Sequence, residues 1–114
     1  LTSRSDPIPA KFKSMESGFK QPGRVIRCEP PRLLSQTWSG EAGQDSEVTF
    51  ELTPRGKEVL LTLTHRRLSR EGMQRVGPGW HAHRGVLEDR LAGAAVRPFW
   101  ATFTKLEGEY EKRL

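Results

Sequence analysis

Three histidines, one cysteine and a set of serines and carboxylates are the residues of this chain that could do chemistry. His65, His81 and His83 invite a metal reading, because imidazole is the commonest transition-metal ligand. His81 and His83 are two apart, so on a helix they point in different directions, unlike the i, i+4 pair of a zinc protease. No second cysteine or acidic motif at metal spacing joins them, so no metal and no cofactor is expected. Cys28 is the only thiol, and its place in a strand beside Ile26 predicts a buried, inert packing residue. The serines have no elbow-type glycine context, and Glu47 and Glu51 fall on a wet strand face. Neither nucleophilic nor paired-carboxylate catalysis therefore has a candidate. Gly77-Pro78-Gly79 lacks the spacing and the lysine of a phosphate loop.

The elements that must carry these residues follow from periodicity. Pro7 to Gly23 is punctuated by prolines and glycines and reads as a loop, with one or two helical turns over Ala10–Glu16 placing Phe12 and Met15 on one side. Val25–Glu29 is β-like and stops at Pro30-Pro31, since proline cannot donate to a sheet ladder. Leu33–Trp38 follows as its antiparallel neighbour, and polar, glycine-containing Gly40–Asp45 ends it. Glu47–Thr53 alternates strictly, with Val48, Phe50 and Leu52 on one face, and Pro54-Arg55-Gly56-Lys57 supplies a turn. The return strand, Glu58–His65, puts Val59, Leu61, Leu63 and His65 on one face. After Arg70 the period lengthens, and Met73, Val76, Trp80, His83 or Arg84, Leu87 and Leu91 draw one apolar stripe. Gly77-Pro78-Gly79 predicts a kink or fresh start in it, followed by a firm helix over Gly79–Ala92 ended near Gly93. A last helix, Pro98–Lys112, places Phe99, Phe103, Leu106 and Tyr110 together. Four antiparallel strands followed by helices predict an α+β arrangement in which an amphipathic helix covers a twisted sheet.

The 114 residues suit one domain rather than two. Hydrophobic residues at 34% and charged residues at 29% are a globular mixture without a run long enough to span a bilayer, so no membrane partner is expected. One cysteine forbids an internal disulfide, which agrees with a cytoplasmic location. The net charge of +5 raises the question of nucleic acid. The basic residues are interleaved with acids, however, and the densest group, Arg66, Arg67 and Arg70, has no RNA-binding signature or recognition helix beside it. It reads as a solvated rim, and no nucleic-acid partner is expected.

Several motifs nevertheless point to a family. Cys28-Glu29-Pro30-Pro31-Arg32-Leu33-Leu34 with Thr37-Trp38, then Val48–Pro54, Leu61–His65 and Gly79-Trp80 with Leu87 downstream resemble the C-terminal two-thirds of the bacterial SRPBCC proteins. More narrowly they resemble the branch named after the activator of the heat-shock chaperone ATPase. The resemblance covers about Arg24 to Leu114. It implies a helix-grip fold, in which a curved antiparallel sheet packs on a long C-terminal helix around a cavity for apolar ligands. The family's opening strand and two short helices have no counterpart here, so residues 1–114 are expected to be a single domain lacking them, and Pro98 onward adds a further short helix.

In such a fold the cavity would be lined by Phe50, Leu52 and Leu61 from the hairpin and by Trp80, His83 and Leu87 from the helix, with Trp38 at one end. The plainer reading of each is ordinary core packing; His83 is the best candidate for a polar group facing a ligand. The implied function is non-enzymatic binding of a small hydrophobic molecule. The alternatives are a co-chaperone-like module that stimulates a heat-shock ATPase, and a polyketide cyclase-like enzyme for which no acid–base pair can be named. An uncovered sheet edge would favour a homodimer.

Overall fold

The computed structural model describes residues 7–15, 22–38 and 45–113. The predicted features at Leu1–Asp6, at Glu16 and over Gly40–Gln44 lie outside them. The described elements are a short 3-10 helix (Ala10–Met15), β1 (Val25–Glu29), β2 (Leu33–Trp38), β3 (Ser46–Arg55), β4 (Glu58–Arg66), α1 (Arg70–Leu91) and α2 (Phe99–Arg113). This is the α+β element order of the helix-grip class. The elements form two compact units: the sheet is one, and the 3-10 helix with α1 and α2 is the other.

The sheet is an antiparallel meander in the order β1-β2-β3-β4. Its register sets Leu34 opposite Phe50 and Phe50 opposite Leu63, with Leu52 opposite Leu61. Because side chains alternate, one face carries Trp38, Val48, Phe50, Leu52, Leu61, Leu63 and His65. The other face is polar: buried Ser35 donates to Glu47 Oε1 at 3.0 Å and lies 3.2 Å from the Thr49 hydroxyl. β3 runs on through Pro54 and Arg55, two residues into the predicted turn, which shrinks to Gly56 and Lys57. Pro54 is tolerated because β2 pairs β3 no further than Glu51, so the missing N–H breaks no ladder bond to β2. Gly56 takes φ = 62° at the first of the two turn residues, where hairpins use glycine. A register shift after Val25 bends the start of β1.

Of the kink or fresh start predicted at Gly77-Pro78-Gly79, the fresh start does not occur. α1 is continuous, capped by Ser69, whose hydroxyl accepts from the Gly72 N–H at 3.0 Å. Pro78 forfeits one backbone bond, but it is fully buried, and its neighbours let α2 come close. A Cβ on Gly77 would lie 3.3 Å from the Tyr110 ring, and one on Gly79 3.9 Å from Phe103. Packing gain along this surface outweighs the local cost that the sequence pattern signals. Ala82 and Val86 continue the contact, forming a core with Phe99, Phe103 and Leu106. Phe12 of the 3-10 helix stacks on Trp100 at 5.2 Å and meets Phe103 edge-on, while Lys11 pairs with Glu107.

The helix ends as expected at Gly93, whose φ of 68° suits the two closing bonds, Gly93 N–H to the Arg90 carbonyl and Ala94 N–H to the Asp89 carbonyl. Asp89 then clasps the connection to α2, accepting from the Arg97 backbone N–H at 3.0 Å, Nε at 2.7 Å and Nη2 at 2.8 Å. These bonds hold its carboxyl at a pKa of about 2. Gly85 makes room for that arginine, since a Cβ there would sit 2.7 Å from Nη1.

Phe103→Ala is expected to lower the unfolding free energy by about 3 kcal/mol in urea melts, and Leu91→Ala, at a residue 80% exposed, by less than about 0.5 kcal/mol. Comparable losses at the two sites would contradict the packing. The folded pKa of Asp89 lies below its unfolded value, so the clasp contributes stability above about pH 4 and loses it as pH falls toward 2. Acid melts of Asp89→Asn should lack that component.

Candidate functional site

The seven residues expected to touch a ligand fall into two groups, four on the sheet and three on α1. On the sheet, Trp38, Phe50, Leu52 and Leu61 share one face through the observed register. Trp38 and Phe50 are half-buried there, whereas Leu52 and Leu61, directly opposite each other, are 40% and 42% exposed. Val48, beside them on the same face, is completely buried. That face therefore grades from a sealed end to one with two large aliphatic side chains open to solvent.

The sealed end is more polar than the alternation alone suggests. Ser46 Oγ donates to the Trp38 carbonyl at 3.1 Å and lies 2.7 Å from His65 Nε2. The hydroxyl and Nε2 can each act as donor or acceptor, so the hydrogen bond between Ser46 and His65 forms with either histidine tautomer. Trp38 meets the imidazole edge-on at 5.9 Å. Burial pushes the His65 pKa below its usual value. The sequence reading placed His65 on this face but missed its pairing with Ser46; the signal was there, because Ser46 has the same strand parity as Val48 and Phe50.

On α1, Trp80, His83 and Leu87 lie on one stripe with Val76, three and four residues apart. At 3.6 residues per turn this stripe is roughly half a turn round the helix from its buried residues Pro78, Ala82, Gly85 and Val86, of which Ala82 and Val86 join the core with α2. α1 thus has a second apolar stripe beside the one that forms the core with α2. The sequence pattern found that side and overlooked the α2-facing one, whose residues are small. His83 sits at the border, its ring 4.3 Å from that of Phe99. Its Nδ1 is buried and has no hydrogen-bond partner among the described residues, and burial lowers its pKa. His81 lies elsewhere on the helix, 3.1 Å from the Tyr110 hydroxyl through Nδ1.

Cys28 corrects an expectation: it is exposed, not buried, because β1 is an edge strand whose five residues all stay accessible. Arg66, Arg67 and Arg70 are exposed as expected of a rim, and Arg67 adopts φ = 62°, uncommon for a residue with a side chain. Among the described residues no group of three or more metal-ligand side chains comes together, and no helix is long and apolar enough to cross a membrane.

A family model described as "Activator of Hsp90 ATPase homolog 1-like protein" matches residues 9–92. Among solved structures, the crystal structure of CalU16 from Micromonospora echinospora is similar, with a TM-score of 0.65 and 30% identity. The match covers 79% of this chain and 56% of CalU16, so the chain spans little more than half of that protein. No curated protein matches significantly.

In an NMR pH titration His65 and His83 are expected to show midpoints below 6.5. Their folded pKa values lie below the unfolded ones, so stability is complete above about pH 6.5 and declines as pH falls through the folded values. A midpoint above 6.5 at either residue would contradict the burial described.

Proposed function

The chain belongs to the family of Activator of Hsp90 ATPase homolog 1-like proteins, and on that premise we propose that it binds a small hydrophobic molecule without transforming it. In the sheet unit the candidate contact surface is the face of Trp38, Phe50, Leu52 and Leu61, and in the helical unit it is the α1 stripe of Trp80, His83 and Leu87. One observation carries the reading: Val76, Trp80, His83 and Leu87 form a second apolar stripe on α1, apart from the core residues Ala82 and Val86, and Leu87 is exposed on it. Large aliphatic side chains left accessible on one sheet face, Leu52 and Leu61, support it from the other unit. His83, neutral at pH 7 and holding a buried Nδ1 without a partner among the described residues, is suited to a single directional hydrogen bond with a mainly apolar ligand.

A second reading, a module that stimulates a heat-shock ATPase, is favoured by the family description and by the exposed Arg66, Arg67 and Arg70. It predicts chaperone pull-down and ATPase stimulation that charge reversal at those arginines abolishes.

Tryptophan emission should respond saturably to an apolar probe such as anilinonaphthalene sulfonate if ligand binding is the function. Leu61→Asp should weaken that response at least tenfold, about 1.4 kcal/mol. Leu60→Asp, on the opposite sheet face, should leave it unchanged. A probe that gives no saturable response, or one equally sensitive to both substitutions, would remove the support for a site on this face.

A further inference from the structure

The apolar sheet face carries one amide. Gln36 lies opposite Val48 on β3 and Val25 on β1, so its side chain shares the face of Trp38, Phe50 and Leu63. The other hydrogen-bonding side chains beside it on β2 and at the start of β3 are engaged: Ser35 with Glu47 and Thr49, Thr37 by the Arg24 N–H at 2.8 Å, and Ser46 with the Trp38 carbonyl and His65. The Gln36 amide makes no such bond among the described residues. It is half-buried, with Leu34 and Trp38 two residues to either side and fully buried Val48 across from it. A primary amide costs free energy when it is dehydrated without a partner, so a molecule covering this face must supply one to bind well.

The positions of the charges narrow the chemistry of that partner. By the same alternation the charged residues of the four strands, from Arg27 and Glu29 on β1 to Glu58 and Arg66 on β4, all fall on the opposite face. Burial keeps His65 neutral at pH 7. Arg32, in the turn before β2, is four residues from Gln36, roughly 13 Å along the strand. An ionised head group beside Gln36 would therefore lose water without gaining a counter-charge. Among uncharged groups a carbonyl or ether can use only the amide N–H, whereas a hydroxyl can donate to the amide oxygen or accept from its nitrogen. It is matched whichever way the amide is turned. We infer, resting on the ligand-binding reading above, that the bound molecule is uncharged and carries a hydroxyl held by Gln36, with its apolar body along Phe50, Leu63, Leu52 and Leu61.

Equilibrium dialysis of the 114-residue protein at pH 7 against naphthalene, 2-naphthol and 2-naphthoate varies the head group on a constant ring system. 2-Naphthol should bind about fivefold tighter than naphthalene and at least about tenfold tighter than 2-naphthoate. Gln36→Leu should erase the preference for 2-naphthol over naphthalene and leave naphthalene bound at least as tightly. Gln36→Met, closer to glutamine in length, should do the same, and circular dichroism checks that each variant is folded. Equal affinity for all three probes, tightest binding of 2-naphthoate, or a preference that survives both substitutions would overturn the hydroxyl assignment while leaving an apolar site in place. Binding of none of the three would overturn the assignment together with the ligand-binding reading.

Discussion

The close approach of α2 to α1 over Gly77, Gly79, Ala82 and Val86 is the contact on which the helical unit depends. Small residues there let Tyr110 and Phe103 lie against the α1 backbone, and Gly85 leaves room for the Arg97 side chain that Asp89 holds. Larger side chains would hold the helices apart and open the core of Phe99, Phe103 and Leu106. The contact uses the small residues of α1, whereas Val76, Trp80, His83 and Leu87 line a different stripe that borders it where His83 meets Phe99.

In the sheet the corresponding constraint is alternation. A two-residue period fixes which side chains share a face, and a one-residue slip would exchange the polar and apolar faces entirely. The hydrogen bonds of Ser35 with Glu47 and Thr49 on one face, and of Ser46 with Trp38 and His65 on the other, reward the observed register and no shifted one. Buried hydroxyls of this kind cost free energy when unpaired, so they specify register as effectively as the aliphatic side chains do.

Most of the strand arrangement is legible in the residues. The alternation from Glu47 to Thr53, the glycine turn and the proline stop at Pro30-Pro31 each have one local interpretation, and the four strands form where these signals fall. A fresh start in α1 does not occur because proline and glycine are local signals, whereas the packing that overrides them comes from Phe103 and Tyr110, 24 and 33 residues beyond Gly79 and Gly77. Cys28 was misread because strand membership was taken to mean burial, and an edge strand is not buried. Of the candidate site, the grouping onto one sheet face and one helix stripe could be read from spacing. The Ser46–His65 pair and the orphaned Nδ1 of His83 could not, since both depend on three-dimensional neighbours that spacing does not encode.

Intermolecular NOEs between a bound apolar probe and selectively labelled leucine methyls address the ligand reading most directly. Cross-peaks from the probe to Leu52, Leu61 and Leu87, with none to Leu106 in the α1–α2 core, are the result it requires. Cross-peaks confined to Leu60 and Leu33 on the polar sheet face, or to Leu106, would contradict it.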